Sequence, residues 1–480
     1  MGRDVFAVAN RFWPIVISLM ITDFIASLEA SMIYGALPTI SREFGDYAAV
    51  GWLVTAFVLV QAISAAIGGR LGDMFGRLRV LQIVLFISAF GSLICAVSEA
   101  LELIVLGRCL QGISGAILPL SFGIIRENSS ADRAAFGVGM VVGAYSVSGA
   151  LGFVLGGYFA DMGAWRMIFH FTAVAPLFAM LVIYLFVPKG QIEPDTGRGI
   201  DYVGAMILAP AVAAILLGFT NIRDAGLLSA PVLGFIGAGI ALLAFWIWYE
   251  LRHPAPLINL RRLKNAKICL AMASFFVLGA GGLQMALILL SLMQQPIWTG
   301  VGLGLAAAAA GVAKLPGNIA GVIAGPTGGK IAQRFGSRAS ALTGFSILVL
   351  SWGMLFLDSS GFYWVIVAGI GCNVGVTIVM VSAPTLIMEE TPPSEVSEAT
   401  GFAYLGRAIG MGVGTQIVSI LLASATVADP STGTSFPAAE SFRLAIAMVL
   451  GLSVIGLLMI LAIPRMKRGD KATVVTPNAA

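Results

Sequence analysis

Charged side chains are scarce in this 480-residue chain. Asp, Glu, Lys and Arg together make up 11% of the residues, whereas hydrophobic residues make up 58%. A soluble domain carries roughly 25% charged residues. So few polar groups cannot cover the surface of a soluble globule of this size. The composition therefore predicts a membrane protein.

Histidine and cysteine are also rare. The chain has two histidines and four cysteines, and the cysteines lie within apolar runs at no spacing typical of metal ligands. The sequence also contains no G-x-x-x-x-G-K-[ST] phosphate loop, no nucleophile–base constellation and no stretch long enough for a soluble domain. We therefore expect no metal site, no cofactor, no direct use of ATP and no enzymatic activity.

Long apolar runs occur along the whole chain. A membrane-spanning helix needs about 20 mostly apolar residues. The first run, near 13–40, is longer than the core of a signal peptide, so we interpret it as a retained span. Together the runs predict fourteen spans in a six–two–six arrangement, near 14–39, 48–69, 80–98, 102–124, 136–158, 166–187, 203–220, 228–250, 268–293, 303–328, 339–357, 362–388, 398–424 and 443–464.

Basic residues concentrate on one side of these spans. Arg70, Arg77, the cluster 261–267, Arg338 and the tail 467–471 all fall on the side of the termini, whereas few basic residues fall on the other side. Lys and Arg mark cytoplasmic loops. We therefore expect both termini to be cytoplasmic, in a multi-pass protein of the cell inner membrane. The formal net charge of +4 then reflects orientation, and no nucleic-acid binding is expected.

One basic, glycine-rich phrase occurs twice. Residues 68–79 read GGRLGDMFGRLR, and residues 328–338 read GGKIAQRFGSR. Each copy follows the second span of a group of six, and repeated helix bundles are common in transporters. The repeat predicts an N-terminal six-helix bundle (1–190), a linker with two extra spans (191–266), and a C-terminal six-helix bundle with a basic tail (267–480).

The first copy resembles the signature loop of the major facilitator superfamily, G-x-L-A-D-R-x-G-R-K-x-x-L. Residues 69–81, GRLGDMFGRLRVL, match it at six positions. The fourth-span phrase LGRCLQGISGA (106–116) also resembles the family pattern R-x-x-Q-G. Two phrases, LEASMIYGALP (28–38) and AWRMIF (164–169), are similar to those of the branch of 14-helix drug:proton antiporters. The resemblance implies an all-α membrane protein with the major facilitator fold.

This resemblance also implies a gate at the loop. Gly69 and Gly76 would permit close helix contact, Asp73 would meet a helix N-terminus, and Arg77 would pair with an acid, here Glu127. The fifth span departs from the antiporter pattern: Ser148 replaces a glycine and Phe153 replaces the proline.

Five charged residues fall inside the predicted spans away from the span ends: Asp23, Glu29, Arg108, Lys314 and Arg407. A charge at the bilayer centre costs at least about 2.5 kcal/mol, so such residues are functional candidates. Glu29 and Lys314 lie at similar depths, about 15 and 16 Å from the outer ends of their helices. We predict that Glu29 is the protonation site, with Asp23 as the runner-up, either as a second proton site or as a cation contact.

Six residues within spans are expected to line the substrate cavity: Arg108, Gln111, Tyr145, Gln284, Lys314 and Arg407. The expected function is proton-coupled export of lipophilic small molecules, cationic ones among them, by alternating access. The expected partners are a small-molecule substrate, protons and the lipid bilayer, and the sequence names no accessory efflux protein. Proton-coupled import of organic, aromatic anions is the alternative, and a membrane sensor without flux is a remote one.

Overall fold

The computed structural model describes residues 2–44, 47–188, 201–222, 226, 228–254, 256, 258–305, 307–428 and 435–464. Within these ranges the chain forms fourteen long helices and one short hairpin. The basic tail predicted to orient the C-terminus lies outside the described residues. The helices are α1 (Gly2–Phe44), α2 (Tyr47–Phe75), α3 (Arg77–Val97), α4 (Leu101–Glu127), α5 (Ala131–Asp161), α6 (Met167–Phe186), α7 (Tyr202–Thr220), α8 (Ala230–Arg252), α9 (Ala266–Gln294), α10 (Ala307–Phe335), α11 (Ser337–Leu357), α12 (Phe362–Glu389), α13 (Pro393–Ala423) and α14 (Ala439–Ala462).

Twelve of these helices are long and apolar enough to cross a membrane, among the residues searched. The other two are α7, whose apolar part Val203–Phe219 is shorter, and α10. Helix α10 is long enough, but it contains Lys314 and Lys330 as well as two prolines. The predicted all-helical fold with fourteen helices is confirmed.

Two helices change to 3-10 geometry part-way along. In α4 the tighter turn covers Ile113–Ala116, and in α9 it covers Gly282–Gln284. The first of these turns contains Gly115, where an added Cβ would collide with the carbonyl oxygen of Gln61 in α2. The glycine thus lets α4 approach the backbone of α2 closely.

Two seams join the first six helices to the last six. In the α2–α13 seam, Gly69 lies against the backbone of Ser397, and Gly401 lies against the backbone of Ala65. Ala65 and Gly69 lie near the end of α2 that leads into residues 69–79. We call this end of the helices the loop end and the opposite one the far end.

The α5–α10 seam is made in the same way. A Cβ added at Gly325 would lie 2.5 Å from the carbonyl oxygen of Gly139, and one added at Gly329 would lie 2.7 Å from that of Ala135. These residues also lie in the halves of α5 and α10 nearer the loop end. The two groups of helices therefore approach each other most closely at that end.

The two extra helices cover the α2–α13 seam. Helix α7 packs on α8, and both share a buried apolar cluster with α2 and α13. Leu59 and Ala66 come from α2, Val212 from α7, Trp246 from α8 and Leu405 from α13. One face of this pair is thus occupied by contacts with both six-helix groups.

Large apolar side chains point outward along many helices. Phe86 and Phe90 on α3, Phe178 and Leu181 on α6 and Leu458 on α14 are each more than half exposed. A soluble protein rarely exposes so many. Fully hydrogen-bonded helices with apolar outer faces are suited to contact with lipid chains.

Candidate functional site

Glu29 is buried in the interior of the first six helices. It lies on α1 and is 2% exposed. Ser88 of α3 donates to both of its carboxylate oxygens, at 3.0 and 2.9 Å, and Ser92 donates to Oε1 at 3.3 Å. The two serines lie one turn apart on α3, so they face the same carboxylate. Two serines four residues apart on an apolar helix are a sequence pattern that indicates a buried polar contact of this kind.

Arg108 is connected to Glu29 through two intermediates. Its guanidinium donates to Gln111 Oε1 at 2.8 Å, and Gln111 Nε2 donates to Ser92 Oγ at 2.6 Å. Arg108 Nε also donates to the carbonyl oxygen of Leu53 in α2, at 2.9 Å. The structure thus brings together three of the residues selected from the sequence. Among the described residues they form a relay of hydrogen bonds and no direct ion pair.

Asp23 lies on the wall of a different space, which we call the central cavity. This cavity measures about 50 Å³, and its walls include Gln61, Tyr145, Tyr404 and Arg407. Ser121 donates to Asp23 Oδ2 at 2.7 Å. The first six helices supply Asp23 and Tyr145, and the last six supply Tyr404 and Arg407, so the cavity lies between the two groups.

Arg407 rests on aromatic rings. Its guanidinium carbon lies 5.0 Å from the ring centroid of Tyr404 and 5.8 Å from that of Phe275. Such cation–π contacts stabilise a cation by about 0.5 kcal/mol or more. Tyr145 is held across the cavity, because Ser27 of α1 donates to its carbonyl oxygen at 3.1 Å. Tyr404 was not selected from the sequence, where a tyrosine in a span has no distinguishing pattern.

Gln284 and Lys314 lie away from both of these places. Gln284 donates to the carbonyl oxygens of Gly279 and Met411 and accepts from Thr415, so it joins α9 to α13. Lys314 lies on the wall of a separate cavity of about 20 Å³ within the last six helices, beside Met293. The structure therefore does not bring either residue to Glu29 or to the central cavity.

The loop residues form a compact charged cluster at the loop end. Arg77 Nε donates to Asp73 Oδ1 at 2.8 Å, and its NH1 lies 3.6 Å from Glu127 Oε2. The same guanidinium donates to the carbonyl oxygens of Gly123 and Pro393. Pro393 opens α13, so Arg77 reaches from the first six helices to the last six. The geometry joins Asp73, Arg77 and Glu127 as the resemblance implied.

Glu398 completes this cluster. Its backbone amide donates to Asp73 Oδ2 at 2.8 Å, and its carboxylate pairs with Arg70 at 2.9 Å. The other carboxylate oxygen accepts from the backbone amide of Asn259, at 2.7 Å, in the segment between α8 and α9. One acid therefore contacts both six-helix groups and the connection to the extra helices.

Two loop glycines serve different purposes. Gly76 has a φ of +94°, and its counterpart Gly336 has a φ of +89°, a conformation that other residues rarely adopt. Gly69 is needed for space, since a Cβ there would collide with the carbonyl oxygen of Ser397.

The fold and these contacts agree with a match to a known family. The model of the Major Facilitator Superfamily matches residues 19–415. This chain belongs to the major facilitator superfamily. It is therefore a multi-pass membrane protein of a family of transporters, and the resemblance found in the loop at residues 69–81 is confirmed.

Similar proteins include ones named for multidrug resistance and for resistance to and export of tetracenomycin C. The chain is 25% identical over 412 residues to a multidrug resistance protein B homolog of Mycobacterium tuberculosis, and the alignment covers 83% of this chain and 74% of that protein. It is 24% identical over 423 residues to a tetracenomycin C resistance and export protein of Streptomyces glaucescens, which covers 86% and 77%.

Solved structures agree on the fold. The human organic anion transporter MFSD10 has a TM-score of 0.66 and 13% identity, over 94% of this chain and 99% of that one. A bacterial homologue of the iron transporter ferroportin, in an outward-facing state, has a TM-score of 0.64 and 12% identity, over 93% and 98%. In both cases the likeness concerns the fold.

Proposed function

We propose that this transporter exports lipophilic small molecules, cationic ones among them, in exchange for protons across the cell inner membrane. Glu29 is the proposed proton carrier. The observation that carries this proposal is the buried carboxyl group of Glu29, which is connected to Arg108 through Ser92 and Gln111. Relatives that are named for drug resistance and export support the direction of transport.

The proposed coupling rests on the two charge states of Glu29. A neutral carboxyl group is tolerated in a dry interior, whereas a carboxylate there needs a cation or hydrogen-bond donors. Ser88, Ser92 and, through Gln111, Arg108 supply these for the ionised form. Glu29 and these partners all lie within the first six helices, so the proposed coupling requires α1, α3 and α4 to shift relative to one another during the cycle. That shift would let Glu29 take up a proton on one side and release it on the other.

Alternating access requires two arrangements of the six-helix groups. This proposal uses the predicted units 1–190, 191–266 and 267–480 and the predicted cytoplasmic position of the termini. With that orientation, the contacts among Asp73, Arg77 and the start of α13 hold the cytoplasmic side closed. We therefore infer that the described arrangement belongs to the outward-facing half of the cycle, in which Glu29 is proposed to receive its proton from outside.

The proposal is tested by transport into proteoliposomes of defined orientation under an imposed pH gradient. The wild-type chain should move protons and a lipophilic cation in opposite directions. Glu29→Gln keeps the shape of the side chain and removes its charge. This variant should lose gradient-driven transport and keep exchange of labelled for unlabelled substrate. Full proton-coupled transport by Glu29→Gln would refute the assignment.

A matched control is available on the same helix. Glu43 lies beyond the span on α1 and pairs with Arg166 at 2.8 Å. Partial burial raises its pKa, but hydrogen bonds from Trp165 and Arg166 outweigh this and hold the pKa below its usual value. Glu43 is therefore ionised at neutral pH, and Glu43→Gln also removes one charge. It should leave coupling unchanged.

One observation favours the second candidate, import of organic anions with protons. Arg407 lies on the wall of the central cavity and makes no ion pair among the described residues. Proton movement in the same direction as an aromatic carboxylate would support import. The absence of flux with cations and carboxylates alike would count against both transport candidates and leave the sensor.

A further inference from the structure

Buried polar atoms without hydrogen-bond partners gather around the central cavity. Among the described residues, such atoms include Asp23 Oδ1, Ser114 Oγ, Tyr404 Oη and Arg407 Nε, and all four residues line this cavity. Buried polar atoms in proteins are nearly always paired with protein groups or water, and an unpaired one is costly. Four of them around one space favour a polar occupant there, either water or a polar ligand.

The two charges on the cavity wall have opposite signs and separate anchors. Ser121 of α4 engages Asp23 Oδ2 and leaves Oδ1 without a partner. Arg407 is supported by the rings of Tyr404 and Phe275. No ion pair within 4.0 Å joins Asp23 to Arg407 or to any other described residue. A buried carboxylate or guanidinium without a counter-charge is costly, so an occupant that carries both signs would stabilise the charged forms of both side chains at once.

A ligand with a single charge leaves one wall unpaired. A cation would satisfy Asp23 and leave Arg407, whereas an anion would do the reverse. Tyr145 and Tyr404 also supply flat aromatic surface to the same cavity, and Ala62, Ala65 and Met411 supply apolar surface. The walls therefore suit a flat, largely apolar body with a charged group at each end.

We propose that the central cavity binds aromatic zwitterions, with the cationic group at Asp23 and the anionic group at Arg407. This narrows the substrate class of the export proposed above and rests on that proposal for the direction and drive of transport. The cavity of about 50 Å³ admits only water-sized molecules as it stands. Because its walls come from both six-helix groups, the rocking motion of alternating access enlarges it.

The test uses three fluorescent probes that share one ring system. Ciprofloxacin carries an amine and a carboxylate, its ethyl ester carries only the amine, and N-acetylciprofloxacin carries only the carboxylate. Equilibrium binding is measured at pH 7 with the full chain in lipid nanodiscs, without any gradient. A hydrogen bond to a charged group contributes about 1.5–3 kcal/mol, so the zwitterion should bind at least about tenfold more tightly than either analogue.

Two substitutions should change this ranking in opposite ways. Asp23→Asn should abolish the advantage of the zwitterion over the N-acetyl analogue and keep its advantage over the ester. Arg407→Gln should abolish the advantage of the zwitterion over the ester and keep its advantage over the N-acetyl analogue. Arg407→Lys retains a cation and should retain part of the wild-type ranking. Arg443→Gln removes a cation from α14 outside the cavity and should change nothing. Equal affinities for the three probes, or an equal loss for all three in both variants, would overturn the proposal.

This binding experiment is separable from the test of proton-coupled export. Selective binding without proton-coupled flux would leave the zwitterion site standing and remove the proposed function. Proton-coupled flux without selective binding would overturn the zwitterion site and leave the proposed function standing. Thermal unfolding of each variant in nanodiscs identifies a variant that has failed to fold, and in that case Arg407→Met or Asp23→Ser, which also removes the charge, takes its place.

Discussion

Asp73 accepts a hydrogen bond at 2.8 Å from the backbone amide of Glu398, a residue 325 positions further along the chain. Glu398 lies in the first α-helical turn of α13, which begins at Val396 after a 3-10 turn at Pro393–Glu395, and backbone amides in a first turn lack intrahelical partners. Asp73 therefore caps a helix of the opposite six-helix group. The partial positive charge of a helix N-terminus strengthens such a contact. The loop at residues 69–79 thus closes one end of the protein with a charge-assisted bond.

Asp73→Asn should open the loop end more often. The substitution keeps the size of the side chain and removes its charge, so the cap should weaken by about 1 kcal/mol or more. Amide hydrogen exchange should become faster at the start of α13, and turnover should fall while substrate affinity stays within twofold, since these residues lie outside the central cavity. Exchange and transport equal to wild type would show that Asp73 does not hold the gate.

Arg70→Gln should destabilise the protein strongly. Both partners of the Arg70–Glu398 pair are buried, and removing one charge leaves the other uncompensated, at a cost of about 3–5 kcal/mol. The double variant with Glu398→Gln should recover part of this loss. The four stabilities of this cycle are measured by thermal unfolding in detergent. The exposed Arg166–Glu43 pair is the control, and a cycle on it should give no more than about 1 kcal/mol.

Gly325→Ala should separate the α5–α10 seam. Its Cβ would lie 2.5 Å from the carbonyl oxygen of Gly139 and 2.8 Å from backbone atoms of Gly143, so α5 must move. Gly311→Ala on the same helix is the matched control, because a Cβ there meets nothing within 4 Å. We expect loss of transport and a lower unfolding temperature for Gly325→Ala. The control should be neutral or more stable by up to about 1 kcal/mol. Similar behaviour of the two variants would contradict the close contact.

Ser92→Ala should impair proton coupling more than Ser88→Ala. Ser88 makes the shorter contacts with Glu29 but reaches only that residue, whereas Ser92 also accepts from Gln111 and so connects the carboxylate to Arg108. The number of protons moved per substrate, measured in proteoliposomes, distinguishes the two. A larger defect in Ser88→Ala would indicate that direct support of the carboxylate matters and that the relay to Arg108 does not.

Sequence patterns predicted the elements that depend on length and composition. Fourteen apolar runs became fourteen helices, and the loop motif identified Asp73, Arg77 and Glu127, which the structure joins. Residue counts give an expected depth along a helix. Depth does not give direction around the axis, however. Lys314 and Glu29 were placed at similar depths, but Lys314 faces a separate cavity within its own group of helices.

Other site residues carried no pattern in the sequence. Glu398 lies within a polar stretch, TPPSEVSEATG (391–401), in which its neighbours look equally suited to face solvent. Tyr404 resembles any aromatic residue of a span. Both acquire their roles from contacts with residues hundreds of positions away, and such contacts depend on how the two six-helix groups dock. A single sequence does not show how the two six-helix groups dock, so it does not reveal these contacts.

The repeated phrase gives the two seams different mechanical properties. Gln333 and Ser337 stand where the first copy has Asp73 and Arg77, and Ser337 donates to Glu389 of its own six-helix group at 2.6 Å. The α5–α10 seam is therefore held mainly by shape, and the α2–α13 seam by charge as well. We expect the two six-helix groups to rotate about the α5–α10 seam and to separate at the α2–α13 seam when the loop end opens. The extra helices lie over the α2–α13 seam, and the segment that follows them is joined to α13 by the hydrogen bond from Asn259 to Glu398.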